Sequence, residues 1–316
     1  MAQSIGLNLV QLAFVLLLSP LFAGILNRCK EIVQSKRGPS VFQPYRDLRK
    51  LLAKEERVSE GSSWIFRVTP YLVFTTPLVV TLLIPVLTSF PLFFAFAGDM
   101  VAVGFIFAVP GLFFTLAAID SGNPYGAMGS SRTRMVGFLA EPVVIIVLFT
   151  VSFIADSTIP YIVQQHWTHP IANFFVPSHI LLLIAFFMII LAETGKLPVD
   201  NPSGHFELAM VDESKALEFS GPSLALLKYG GYMKFTVLAV VFLNVLTTPW
   251  GLAPTGAPTD MLAAIAAVFV KIFILILAIV AVESSFAKLR LFRISEYLAT
   301  AFVICVTAMI TQLIHL

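Results

Sequence analysis

Residues 261–282 read MLAAIAAVFVKIFILILAIVAV, an apolar run broken by one charge, Lys271. A bilayer core of ~30 Å is crossed by about 20 apolar residues in a helix, so this stretch reads as a membrane span with an ammonium near its middle. Working outward, comparable runs occupy residues 1–27, 68–90, 100–119, 135–155, 179–193, 235–249 and 297–316. The fifth and sixth are short unless they take uncharged residues from their flanks. The chain as a whole is 58% hydrophobic and 12% charged, which excludes the balance of a soluble globular domain. The expectation is an all-α polytopic membrane protein of about eight transmembrane helices, with residues 1–316 forming a single transmembrane domain.

The placement of charge sets a topology. Apart from Lys271, all of the 20 Lys and Arg fall in or beside alternate loops. The loop at 28–67 is the richest in Lys and Arg, the third holds Arg132 and Arg134, the fifth holds Lys196, Lys215 and Lys228 with Lys234 at its edge, and the seventh holds Lys288, Arg290 and Arg293. The intervening loops and both termini have none. An excess of basic residues marks cytoplasmic loops, so the odd loops are expected inside and both termini on the outer, periplasmic side. Residues 1–27 have no basic leader or small-residue cleavage site and read as a retained first helix rather than a signal peptide. The net charge of +2 is explained by loops against an anionic leaflet, and no nucleic-acid motif occurs. The two cysteines, Cys29 and Cys305, are far apart and match no C-x-x-C or His/Cys pattern. The sequence therefore offers no ligand set for an iron–sulfur cluster or a structural zinc, and electrons would move on a partner.

The remaining information is polar. In the first loop Leu48, Leu51 and Leu52 recur at helical spacing between charges, which suits a short amphipathic helix on the membrane surface or under a docked partner, or a solvated basic loop. Residues 120–132, rich in Gly and Ser around Asn123-Pro124, read as a turn with exposed backbone. Across the edge of the fifth loop, 194–229, stand Glu193, Asp200, Glu207, Asp212, Glu213 and Glu218, six of the chain's 18 acids. Asn201-Pro202 reads as the start of a helix running to about Phe219, on which Glu207 and Glu218 would share a face roughly 16 Å apart along the axis with His205 on the other side; a solvated acidic loop is the alternative. Glu141 lies about 10 Å into the fourth span ahead of Pro142. An ionisable group at such depth costs roughly 2.5–3.5 kcal/mol on insertion scales, so Glu141 and Lys271 each need a polar partner.

Five segments together carry a resemblance: Arg37-Gly38-Pro39 with Tyr45-Arg46-Asp47; residues 120–132, from Asp120 to Arg132; Glu141-Pro142; Glu193-Thr194-Gly195-Lys196-Leu197-Pro198-Val199-Asp200; and Lys271 with Glu283. In this order they resemble the respiratory complex I subunit 1 family over nearly the whole chain. Within it they are most similar to the membrane-anchor branch of energy-converting nickel–iron hydrogenases of the formate hydrogenlyase and hydrogenase-4 kind. The run Asn201-Pro202-Ser203-Gly204-His205 and a longer approach to Glu218-Phe219-Ser220-Gly221 depart from the complex I pattern, which weakens a quinone site of that kind. The resemblance implies a subunit of the bacterial or archaeal inner membrane that carries no cofactor itself. The nickel–iron centre and the iron–sulfur clusters would sit on the hydrogenase large and small subunits, docked through Arg37, Gly38, Pro39, Tyr45, Arg46, Asp47, Asp120, Arg132 and His205. It further implies a proton path through Glu141, Glu193, Asp200, Glu207, Asp212, Glu213, Glu218, Lys271 and Glu283 toward antiporter-like membrane subunits. The competing readings are a quinone-binding subunit of an NADH/quinone oxidoreductase and a secondary transporter. The latter is disfavoured by the lack of matching interrupted helices in the two halves.

Overall fold

The computed structural model describes residues 2–59, 61–95, 98–168, 176–200 and 213–315. Ten α-helices organise them: α1 Ala2–Val33, α2 Gln43–Leu52, α3 Trp64–Leu83, α4 Met100–Asp120, α5 Pro124–Ile154, α6 Pro160–Thr168, α7 Pro177–Glu193, α8 Gly221–Val240, α9 Pro258–Ser285 and α10 Leu291–His315. Seven of these, α1, α3, α4, α5, α8, α9 and α10, are long and apolar enough to span a bilayer among the described residues. The eighth expected span is α7, whose 17 residues reach about 25 Å at 1.5 Å per residue. It is completed by its neighbours, since Tyr297 of α10 donates to the Met188 carbonyl at 3.0 Å and α7 packs along α10 and α5.

Helix α8 is the hub of the bundle. It is 78% buried over its apolar window, against 50% or less for the other spans, and it lies against α3, α1, α2 and α9. The contact with α3 is made possible by Gly230, where a Cβ would stand 2.5 Å from the Val73 carbonyl oxygen. The core that follows joins Val80, Leu87, Phe107, Phe186, Val237 and Ile276 in one apolar cluster.

Several boundaries differ from expectation for local reasons. The second span stops at Leu83 rather than near Phe90 because Pro85 disfavours helix at the residue before it, and 84–90 continue as irregular, bending backbone. The third loop contracts to 121–123: Asn123 caps α5 by accepting from the Tyr125 N–H at 2.8 Å, Pro124 takes the first helical position, and the expected Gly-rich turn is helix. Arg132 and Arg134 thus lie on α5. Gly129 is needed there because a Cβ would collide with Ser214 Oγ at 1.8 Å. In the fifth loop, 201–212 fall outside the described residues. Beyond them a 3-10 turn at Glu213–Ala216 replaces the expected α-helix to Phe219, and α8 already begins at Gly221, whose φ of +50° breaks continuity with the turn before it. The amphipathic first-loop helix is α2, with Leu48 buried and Arg46, Arg49 and Lys50 exposed.

Substitution of Gly230 by Val is expected to force α3 and α8 apart, at about 1–3 kcal/mol for overpacking, and to lower the thermal midpoint of the detergent-extracted protein. Gly231→Ala, where nothing lies within 4 Å of the added Cβ, should leave the midpoint unchanged or slightly raised.

Candidate functional site

The middle stretches of α5 and α8 and the C-terminal end of α7 line a cavity of roughly 240 Å³, walled also by α3 and α4. Small residues make the space: Gly104, Gly111, Gly137, Gly230 and Gly231 all line it. Glu141 enters from α5, four residues after Gly137, and its Oε1 lies 3.4 Å from where a Gly137 Cβ would be. Side chains at i and i+4 share a helix face, so the absence of a side chain at 137 is what gives the carboxylate room. Arg134, one further turn back, donates to Glu141 Oε1 at 3.2 Å.

Glu193, at the last turn of α7, lines the same cavity and accepts from Lys234 Nζ of α8 at 2.6 Å. Asp200 lines it as well and is held by Lys288 at 2.7 Å. Between these two acids the chain makes a tight turn in which Gly195 takes a φ of +59°, a conformation that favours glycine. This turn is bonded to the end of α9 twice more. The Leu197 N–H donates to Glu283 Oε1 at 3.3 Å, and the Leu289 N–H donates to the Pro198 carbonyl at 2.9 Å.

Glu283 is the most enclosed carboxylate of the set at 3% exposure, and Lys30 of α1 lies 3.4 Å from its Oε1. Lys196, in the turn, is pushed below the ordinary lysine range by burial; Glu283 opposes that shift and Lys30 adds to it. Every acid here has a cation beside it, as a buried charge requires. Of the basic partners, Lys30 lies in the last turn of α1 and Lys288 in the connection between α9 and α10, whereas Arg134 and Lys234 lie well inside α5 and α8.

The other sequence-derived site residues fall in different places. Glu218 accepts from Asn123 Nδ2 at 2.5 Å, joining the start of α8 to the cap of α5. Glu213 opens the 3-10 turn, whose Lys215 lines the cavity with its ammonium 4.5 Å from the Phe114 ring centre. Lys271 bonds to Asn244 Oδ1 and to the carbonyls of Thr248 and Trp250. It stands twelve residues before Glu283, so about 18 Å away along α9. Glu207, Asp212 and His205 lie outside the described residues. Of the residues expected to dock partners, Arg37, Pro39 and Arg46 are exposed. Gly38 packs against Glu31 and Arg28, Tyr45 donates to the Leu17 carbonyl, and Asp47 accepts from Gln43 at 2.9 Å. Asp120 accepts from the Ser63 N–H at 2.7 Å, which fixes the residue that caps α3. Arg132 lies on α5. Among the described residues no group of three or more His, Cys, Asp or Glu is gathered as metal ligands would be.

The chain's likeness to known proteins lies in membrane subunits of larger assemblies. The NADH dehydrogenase family model matches residues 7–314, and the chain belongs to that family, which corresponds to complex I subunit 1. It is 33% identical to formate hydrogenlyase subunit 4 of Escherichia coli (strain K12) over 291 residues, covering 92% of each chain. It is 31% identical to hydrogenase-4 component C of the same organism, covering 89% of this chain and 87% of that one. The fold is shared with a chain of the membrane-bound sulfane sulfur reductase, an archaeal respiratory membrane complex, at a TM-score of 0.84, 20% identity and coverage of 98% and 99%. The protein is therefore a multi-pass membrane protein whose relatives are subunits of multisubunit complexes.

Removal of Lys30 leaves Glu283 enclosed without its ion-pair partner. Lys30→Met is expected to destabilise the fold by on the order of 3 kcal/mol, the cost of breaking a buried pair, read as a lower thermal midpoint. Lys30→Met with Glu283→Gln should recover most of the loss; equal losses in the single and double variants would show that the two side chains are not coupled.

Proposed function

We propose that this chain is the membrane anchor of a multisubunit energy-converting hydrogenase of the formate hydrogenlyase kind, and that it links the electron-transfer arm to translocation of protons or sodium ions. The observation that carries the reading is the cavity shared by Glu141, Glu193 and Asp200, each with its own cation, in a chain related over most of its length to formate hydrogenlyase subunit 4. The basic end is assigned to the cytoplasm by the positive-inside rule, with both termini outside. The large and small hydrogenase subunits, bearing the nickel–iron and iron–sulfur centres, would sit on that end, on the exposed face of α2 and the loops beside it. Antiporter-like subunits would receive the path where it leaves Glu283.

The mechanism follows from the pairs. A carboxylate held by one lysine is stabilised in its charged form. A change of charge on the docked arm alters the balance at Glu193–Lys234, and a lysine drawn from one acid toward another lets the first take up a proton. Because Glu141 and Glu193 face one cavity, protonation of either favours ionisation of the other. The turn at 194–200 then carries the change to Asp200 and Glu283. Glu207 and Asp212 are assigned to the same path on the resemblance alone.

A second reading uses the same cavity. Its walls are largely apolar with a few charged groups, the character of a small-molecule site, and a quinone head group would occupy it in a complex I-type enzyme.

The test is purification of the tagged chain with its complex in mild detergent, identification of the partners by mass spectrometry and assay of hydrogen evolution from reduced viologen. A nickel-containing partner with viologen-linked hydrogen evolution is the expected outcome; a nickel-free complex that reduces quinone would replace it with the second reading. In membrane vesicles Glu141→Gln is expected to retain hydrogen evolution within about twofold, since it lies on a chain without redox centres, and to lose most ion translocation. Full translocation by that variant would remove Glu141 from the path.

A further inference from the structure

Lys271 stands near the middle of α9, and none of its partners is an acid. Its Nζ donates to Asn244 Oδ1 at 3.2 Å, to the Thr248 carbonyl at 2.6 Å and to the Trp250 carbonyl. All three oxygens come from one short stretch, in which the hub helix passes through a π-helical turn at Val241–Thr247 and runs out into irregular backbone. An ammonium has three N–H donors and no acceptor, so three converging oxygens match its charged form. A neutral amine would turn a lone pair toward one of them.

The oxygens are aimed independently of the lysine. Asn244 is fully buried, and its Nδ2 donates to the carbonyls of Val86 at 2.8 Å and Pro85 at 3.3 Å, so its Oδ1 is the atom left to face Nζ. Those two carbonyls belong to the irregular segment after α3. Thr248 and Trp250 follow the end of a helix, where the aligned peptide dipoles place partial negative charge. A ring of neutral carbonyl and amide oxygens, oriented before any ion arrives, is the chemistry that replaces the hydration shell of a monovalent cation.

We propose that residues 244–250 form a binding site for a small monovalent cation, potassium or an alkylammonium, and that Lys271 fills it from the neighbouring helix as a tethered substitute. In the native chain the site is closed to metal ions: a free cation entering it would have to displace a covalently attached one. The proposal does not rest on the hydrogenase reading, because it concerns the occupancy of an oxygen cage and not the passage of ions elsewhere.

Truncation to alanine removes the equivalent of propylammonium. The test uses the full-length fluorescently tagged chain extracted with its complex, heated and followed by size-exclusion fluorescence in choline, sodium, potassium or propylammonium chloride. Lys271→Ala is expected to show a lower midpoint than the wild type in choline chloride and to regain at least half of the loss in potassium or propylammonium chloride, while the wild type responds equally to all four salts. Asn244→Ala in the Lys271→Ala background should abolish the cation response. A variant indifferent to the cation, or a wild type that responds as the variant does, would overturn the proposal. So would failure to recover Lys271→Ala from cells, whose potassium should fill the site.

Discussion

Backbone that leaves a helix at bilayer depth must find hydrogen-bond partners within the protein, because hydrocarbon offers none. This constraint governs the half of the molecule away from the basic loops, where α3 gives way to irregular chain at 84–90 and the hub helix gives way to irregular chain at 248–257. The two segments satisfy each other in part, through a bridge between Thr88 and Ala253 and bonds from Ala253 N–H to the Leu87 carbonyl at 2.8 Å and from Ser89 N–H to the Ala253 carbonyl at 3.1 Å. Side chains complete the set: Asn244 serves Pro85 and Val86, Lys271 serves Thr248 and Trp250, and Gln164 of α6 donates to the Pro249 carbonyl at 3.0 Å. The long α8 and α9 can pack side by side only because these carbonyls are provided for.

At the opposite end the governing quantity is charge. Four ion pairs, Arg134–Glu141, Lys234–Glu193, Lys288–Asp200 and Lys30–Glu283, draw on five helices and two connecting segments, so the carboxylates are neutralised by tertiary structure rather than by their own helices. The exception is Arg134–Glu141, both on α5 and seven residues apart. Gly137 between them leaves space beside the Glu141 carboxylate, whose Oε1 lies 3.4 Å from where a Cβ would be. An ion pair of this kind adds little net stability over an apolar contact, and three of the four acids, Glu141, Glu193 and Asp200, line one cavity.

The fold was legible because a bilayer imposes a length on every helix and charge asymmetry imposes a direction on every loop. Residues 261–282 announce α9 by composition alone. The failures have a common cause in short-range chemistry that composition hides. Pro85 ends α3 early, Asn123 with Pro124 starts α5 early, and Gly221 starts α8 early; each signal was in the sequence, overshadowed by the apolar runs beside it. The acids of the site were visible as costly charges in an apolar chain. Their cations were not, because Lys30, Lys234 and Lys288 read equally well as markers of the membrane surface, and only the packing of α1 and α8 and the course of the α9–α10 connection turns them inward. Asn244 carried a weaker signal, as an amide inside an otherwise apolar span.

The turn at 194–200 is held at three points by one neighbour: Leu197 N–H and Pro198 carbonyl on one strand of backbone, Asp200 by its side chain, all to residues 283–289. Mechanically it is a crank. Its near arm continues α7, which ends in Glu193, and its far arm grips the junction of α9 and α10. Because its backbone bonds tie it to residues 283–289, a rotation at the Glu193 end would be passed on to the α9–α10 junction rather than taken up within the turn.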